Sequence, residues 1–465
     1  MAKAGSLAAQ LRAWPKYGNG IGLHRMQEAL EVLAEDSLRR QWLEHLDAVK
    51  ITGSNGKGTT ATLLAAIFAE LGIGTGLYTS PHLRRVTERV HIDGIEVEEE
   101  ELRGAWRRAV TMAETIEAAS GDGFGAFELM TIAALDLLSG KDRVETIVAE
   151  AGIGGRFDAT RVIPGSIVAM TSLDLEHTEL LGSNLEAIAY DKADLCPDGG
   201  TLIVGAGLER RLLRRLRGYA EVRGIELVAV DEVARLEACR FGDRASMVFD
   251  MELRGELLRD VAMAMAGRHH WSNAVVALLL AEAWTQRYST ERHRPRLTAE
   301  ALRGAWRRAL AETRRPGRLQ RVESDPGTEG PDIFIDFCHT PRAAEALADT
   351  VRAVFGQPGP LLVLGISADK DLEALATPLL EIAGAVVITR ALHRGLDPER
   401  LDELVRRLQP GLERWCVGGL DEALALAKKE ASRRGMDVLV AGGLFLGVEA
   451  AELLAGRDPA ALEFF

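Results

Sequence analysis

Residues 51–60 read ITGSNGKGTT. Gly53, Gly56 and Gly58 let a backbone turn sharply and approach phosphate oxygens. Ser54 and Asn55 complete the loop, Lys57 supplies charge for a β- or γ-phosphate, and Thr59 or Thr60 offers a hydroxyl to Mg²⁺. The general pattern for such a loop is G-x-x-x-x-G-K-[ST]. Here Ile51 stands where the first glycine belongs, and Gly58 follows the lysine. A glycine-rich turn with a solvated lysine is the competing reading. The apolar run LDAVKIT before the loop and the helical TATLLAAIFAELG after it supply the strand–loop–helix order that nucleotide binding requires.

Four further clusters carry titratable groups. In VAEAGIGGRFDAT, Glu150 ends an apolar strand, where a carboxylate is costly unless it meets a metal or a partner. Arg156 and Asp158 there are alternatively an internal ion pair. In SLDLEHTELLG, His177 has a ring nitrogen that could ligate a metal, a reading that gains if its strand and that of Glu150 are adjacent; a lone His is more often a surface or capping residue. In AYDKADL, Lys192 sits between Asp191 and Asp194, which on chemistry alone reads as a solvated ion pair. DFCHTP and ISADKD place Asp336, His339, Asp369, Lys370 and Asp371 just past apolar strands, where an open α/β sheet presents its ligand loops.

The elements that must hold these residues alternate between strand and helix. VETIVAEAG, GSIVAMTSL, GTLIVGA and IELVAV read as strands, separated by helices such as FELMTIAALDLLSG, so a largely parallel sheet is expected. The stretch 311–332 is rich in Pro, Gly and charge and predicts a boundary. Beyond it, IFIDF, PLLVLGI, AVVITR and DVLVAGG alternate with helical segments. The fold expected is α/β: a mostly parallel, phosphate-loop-type domain over 1–312 and a smaller Rossmann-like domain over 313–465. LRGAWRRA occurs at 102–109 and again at 302–309, without a sustained repeat period.

The formal net charge of -13 argues against nucleic acid or an anionic membrane as partner. Cys196, Cys239, Cys338 and Cys416 form no C-x-x-C pair, which predicts a reducing compartment and no zinc site. No apolar run approaches the ~18 residues of a membrane span, and no signal peptide is legible. A cytoplasmic protein is expected.

Taken in order, GLHRMQEAL, TGSNGKGTT, TSPHLRRVTERVHIDG, FELMT, EAGIGGRFDAT, LDLEHTELLGSNLEAIAYDKA, GRHHWSNA, RRPGRLQRV, DFCHTPRAA, ISADKD and GGLFLGVEA resemble the folylpolyglutamate synthase/dihydrofolate synthase family of the Mur ligase superfamily. The resemblance covers nearly the whole chain. It implies ATP and two Mg²⁺ ions, with Gly53–Thr60, Asn273, Arg318, Asp336 and His339 on the nucleotide. It implies Thr59, Ser80, Glu150, His177 and a carbamylated Lys192 at the metal, with Lys57, His177 and Lys192 serving catalysis. Pro81, His82, Arg89 and Phe127, with Arg156 and Asp158, are then the expected substrate contacts. The implied reaction is attack of a substrate carboxylate on the γ-phosphate, followed by attack of L-glutamate on the acyl phosphate. A monomer acting on small molecules is expected.

The chain departs from that family at Phe337, Cys338 and Thr340 in DFCHTP and at His270 in HHWSNA. Cys338 reads as a packed small hydrophobe and not a nucleophile. A ligase with a non-folate acceptor, or a nucleotide-binding ATPase without ligase activity, would share the phosphate loop. The ATPase would not need Glu150, His177 and Lys192.

Overall fold

The computed structural model describes residues 5–18, 22–141, 144–242, 244–291, 297–322 and 330–464, with backbone alone for 288–291. Part of the expected linker, 323–329, lies outside these.

The first sheet holds β1 (Val49–Thr52), β2 (Thr75–Tyr78), β3 (Val90–Ile92), β4 (Ile95–Glu96), β5 (Thr146–Glu150), β6 (Ile167–Met170), β7 (Thr201–Val204) and β8 (Glu226–Ala229). Their order is β4-β3-β2-β5-β1-β6-β7-β8. The six strands from β2 to β8 in that order run parallel, and β3 and β4 extend the edge antiparallel. β1, β5 and β6 are buried at every residue, which is why they read as continuous apolar runs and not as alternation. β1 lies between β5 and β6, with Ile51 paired to both Glu150 and Ala169. The strands ending in Glu150 and leading to His177 are therefore not neighbours. They flank the strand that carries the phosphate loop, so both segments converge on that loop.

A second sheet, absent from the sequence reading, is formed by β9 (Ala234–Phe241), β10 (Met247–Leu253) and β11 (Glu256–Met263), all antiparallel. Its signal was period-two: Met247, Phe249, Met251 and Leu253 are buried and their neighbours partly exposed.

The third sheet contains β12 (Gln320–Val322), β13 (Ile333–Ile335), β14 (Leu361–Leu364), β15 (Ala385–Ile388), β16 (Arg414–Cys416) and β17 (Val438–Ala441), in the order β12-β13-β17-β14-β15-β16. β12 is an antiparallel edge strand inside the stretch expected to be linker. β17 intervenes between β13 and β14, so DFCHTP and ISADKD leave strands separated by one other strand.

The repeated LRGAWRRA has a packing explanation. Leu102, Ala105, Trp106 and Ala109 are buried in the helix Glu99–Ser120, and Leu302, Ala305, Trp306 and Ala309 in the helix Ala299–Glu312. The i, i+3, i+4, i+7 spacing makes one apolar stripe. One copy packs on the helix Ala126–Ser139 and the other on the helix Lys57–Glu70. No helix among the described residues is long and apolar enough to cross a membrane.

Candidate active site

The phosphate loop leaves β1 and enters the helix Lys57–Glu70 at Gly56, whose φ of 87° is left-handed. A side chain at Gly56 would collide with the Asn273 amide from the helix Arg268–Glu291. The segment after β6 clamps the loop. Asn55 N–H donates to Ser172 Oγ at 2.8 Å, Ser54 N–H to the Ser172 carbonyl at 2.9 Å, and Asp174 N–H to Ser54 Oγ at 2.9 Å. Asn55 Nδ2 donates to Asp174 Oδ2 at 2.6 Å. Lys57 Nζ donates to the Gly53 carbonyl at 2.8 Å, folded over its own loop.

Glu150 is 4% exposed and accepts Ser80 N–H at 3.1 Å, which joins the end of β5 to the loop after β2. Lys192 is also buried, but its partner is Glu176 at 3.0 Å and neither neighbouring aspartate. Asp191 accepts Gly155 N–H, and Asp194 holds Arg156, Arg223 and Tyr219. The solvated pair expected from chemistry alone is thus replaced by a buried one. Burial, reinforced by the Lys57 charge, lowers the Lys192 pKa. Burial would raise Glu176, but the Lys192 and Lys57 charges outweigh it and hold that carboxyl below its ordinary range. Two ammonium groups share the one carboxylate, so Lys192 holds its proton less tightly than a free lysine. His177 stands at φ 47° before the short helix Thr178–Leu181, and burial, with the nearby lysines, lowers its pKa against the pull of Glu176.

The C-terminal half closes over this loop. Arg342 Nη1 donates to the Leu173 carbonyl at 2.8 Å and to Asp174 Oδ1 at 3.1 Å. Arg315, which the sequence reading did not single out, lies against Gly58 and donates to Thr62 Oγ1 at 2.9 Å. Asp336 accepts Leu319 N–H at 2.8 Å and Cys338 N–H at 2.9 Å; burial raises its pKa while Arg318 opposes the rise. Asp336 therefore shapes the segment that carries Arg318. His339 Nδ1–H donates to the Phe337 carbonyl at 3.0 Å, and the ring lies within electrostatic reach of Arg318, Lys370 and Lys57. Cys338 is 2% exposed and packed in a core, its thiol pushed up by burial, as a small hydrophobe would sit. His270 is likewise buried, its ring 4.0 Å from that of His269.

Beside Ser80 opens a cavity of about 370 Å³. Tyr17, Phe127, Phe157 and Leu181 line it, with Lys16, Arg89 and Asp158 among the polar groups. Size and apolar lining suit a small organic ligand. Of the expected substrate contacts, Pro81, Arg89, Phe127 and Asp158 line this space, and His82 and Arg156 do not. His82 stands behind Arg89 and accepts its Nε–H at 2.9 Å; burial pushes its pKa down to about 4. Arg156 turns outward to Asp194 at 2.6 Å. The alternative pairing of Arg156 with Asp158 is also absent, because Asp158 accepts from Gly152, Ile153 and Thr160 and folds the glycine-rich turn.

The loop fits a magnesium-bound triphosphate. The Thr59 and Thr60 hydroxyls are buried without a hydrogen-bond partner, a state that costs about 1–3 kcal/mol each. Among the described residues no three His, Cys, Asp or Glu side chains form a metal cage. Mg²⁺ is characteristically held by one or two carboxylates plus substrate phosphates and water; Glu150 and the Thr59 hydroxyl are the groups that could contribute the protein's share.

Residues 317–444 match the Mur ligase, glutamate ligase domain. The chain is 28% identical to the dihydrofolate synthase/folylpolyglutamate synthase of Mycobacterium tuberculosis, over 96% of this chain and 92% of that protein. It is 33% identical to a probable bifunctional folylpolyglutamate synthase/dihydropteroate synthase of Haloferax volcanii, over 88% of this chain but 46% of that longer protein. The structure of M. tuberculosis folylpolyglutamate synthase complexed with ADP and AMPPCP superposes with a TM-score of 0.81 at 25% identity, covering 97% of this chain and 98% of that one. The phosphate loop, Glu150 and the buried Lys192 gather at one end of the sheet, and the chain is similar end to end, in fold and sequence, to folylpolyglutamate synthases and dihydrofolate synthases.

Proposed function

We propose that the protein is an ATP-dependent ligase that joins L-glutamate to the carboxylate of a folate-type acceptor through an acyl phosphate. The observation that carries this reading is the cavity beside Ser80. Its inner wall includes Ser80 and Gly152, which flank Glu150, and Glu150 ends a strand paired to the one bearing the phosphate loop. An acceptor in the cavity would present its carboxylate to the γ-phosphate. Such an approach is repulsive: two unit charges ~4 Å apart cost about 4 kcal/mol at an effective dielectric of ~20. Lys57 and the loop N–H groups offset that repulsion as charge shifts in transfer. Arg89 and Lys16 supply cationic groups for the acceptor.

Mg²⁺, held by Glu150, Ser80, Thr59 and His177, would neutralise phosphate charge. A carbamylated Lys192 would complete a second ion. The lowered Lys192 pKa supports this, since the free amine is the form that adds carbon dioxide. Asn273, Arg318, Asp336 and His339 border the nucleotide in this reading. The division of labour runs at 312/313: the first part carries the phosphate loop and the acceptor cavity, and the second adds Arg318, Asp336 and His339 to the nucleotide site and receives the incoming amino acid. Every group named comes from one chain, so a monomer suffices.

The test is phosphate release from ATP by purified protein. Release that needs both a dihydropteroate or folate acceptor and L-glutamate supports the reading. No release with either acceptor, across several amino acids, overturns the folate assignment. Release without any acceptor indicates a plain ATPase.

A further inference from the structure

The loop that supplies Ser80 and Pro81 to the cavity continues into the C-terminal half. Arg84 Nε pairs with the buried Glu452 at 2.9 Å, and Leu83 packs against the core on one face of the third sheet. His82 Nε2 lies 3.2 Å from the Glu463 carbonyl oxygen. Its Nδ1 faces Arg89 Nε at 2.9 Å. A guanidinium N–H only donates, so Nδ1 holds the lone pair and Nε2 the proton that reaches Glu463. The two hydrogen bonds are thus mutually consistent and set the ring between the strap of chain at 462–464 and the arginine of the cavity.

That strap is anchored on both sides. The Phe464 ring stands edge-on to Phe445 and His393, with centroids 4.7 Å apart in each case. Toward the N-terminal half, Arg12 Nη1 donates to the Phe464 carbonyl at 3.1 Å, and Ser6 Oγ donates to Glu463 Oε1 at 2.6 Å.

We propose that Leu462–Phe464 is a positioning strap that, through His82, holds Arg89 aimed into the acceptor cavity while the C-terminal half is docked. Glu463 and His82 are positioning residues, and Arg89 is the group that meets the acceptor. The grip on the acceptor then depends on docking of the half that closes over the nucleotide loop. This rests on the acceptor-cavity reading given above.

The experiment uses the full chain with Phe464→Ala, with Arg12→Ala as a second release of the strap from its other side. In the unliganded protein, amide exchange over 82–89 is expected to quicken about tenfold in both variants, the scale of one lost hydrogen bond to a charged group. In turnover, the acceptor KM is expected to rise about tenfold while the ATP KM stays within about twofold. Phe464→Ala combined with His82→Ala is expected to be no worse than His82→Ala alone. Unchanged exchange, an equal rise in all KM values, or additive effects overturn the strap. If the wild type shows no acceptor-dependent turnover, the functional reading fails, and the exchange result by itself decides the strap.

Discussion

The Arg315 guanidinium lies against the α-carbon of Gly58, where a β-carbon would collide with it. This contact explains why the residue after Lys57 is glycine, where the general loop has Ser or Thr. The hydroxyl is deferred to Thr59, and a cation occupies the vacated face of the helix N-terminus. The displaced group would be the far end of a flexible side chain, so Gly58→Ser is expected to alter function more than folding. We predict a melting temperature within about 2 °C of wild type and a fall of about tenfold or more in kcat/KM for ATP. A Gly58→Ser protein with unchanged ATP kinetics would show that Arg315 is incidental.

Lys57 and Lys192 are expected to separate by rescue. Lys57→Ala removes a cation from the phosphate loop, and turnover is expected to fall about 10²–10³-fold with no recovery on adding small anions. Lys192→Ala is expected to fall comparably but to regain activity with acetate or propionate, which replace the missing carboxylate. Full activity of Lys192→Ala without such additives would remove the carbamate from the account.

Lys50 offers a test of stability alone. It is 2% exposed on β1 and donates to the Ile163 carbonyl at 3.1 Å. Burial lowers its pKa from 10.5 to about 8. The folded chain therefore sheds this proton before the unfolded chain does. Between those two values the unfolded state binds more protons, so this group's contribution to stability improves as pH rises. Below the lower value the penalty is in full force, about 3 kcal/mol at most. Lys50→Met is expected to be more stable than wild type near neutral pH, with the advantage fading as pH approaches 10.5. An advantage that stays constant in chemical denaturation across that range would refute the buried-charge account.

The two copies of LRGAWRRA predict a split. Trp106 and Trp306 are both fully enclosed, and Trp306 Nε1 also donates to the Ala274 carbonyl at 2.9 Å, one residue past Asn273. Each Trp→Ala is expected to cost about 3–5 kcal/mol in urea unfolding. Only Trp306→Ala is expected to raise the ATP KM as well, because it loosens the helix that presents Asn273 to the loop. Equal effects on ATP from both substitutions would contradict this.

Much of this organisation was legible in the residues. β1, β5 and β6 are short apolar runs buried on both faces, so their positions and the parallel sheet followed from composition. Glu150 was legible because a carboxylate ending such a run needs a reason. Lys192 was not: its flanking aspartates suggested a local surface pair, while its partner Glu176 lies across a loop that only the tertiary fold brings near. Arg315 was hidden for the same reason, as one of several arginines in a charged stretch whose target is 257 residues earlier, at Gly58. His82 and Arg156 were assigned to the substrate by motif position. Side-chain direction, set by turns at Glu88 and Asp158, put them behind the cavity wall and outside it. The antiparallel sheet β9–β11 carries its own period-two alternation, but the β/α alternation on either side of it masks that signal.

The central claim is that ATP activates the acceptor's own carboxylate. The direct measurement is isotope transfer: an acceptor carrying heavy oxygen in its carboxylate is turned over with ATP and L-glutamate, and the released phosphate is analysed by mass. The account predicts one heavy oxygen per phosphate released, in step with amide formed. Amide formation with phosphate bearing only solvent or ATP oxygen would contradict it.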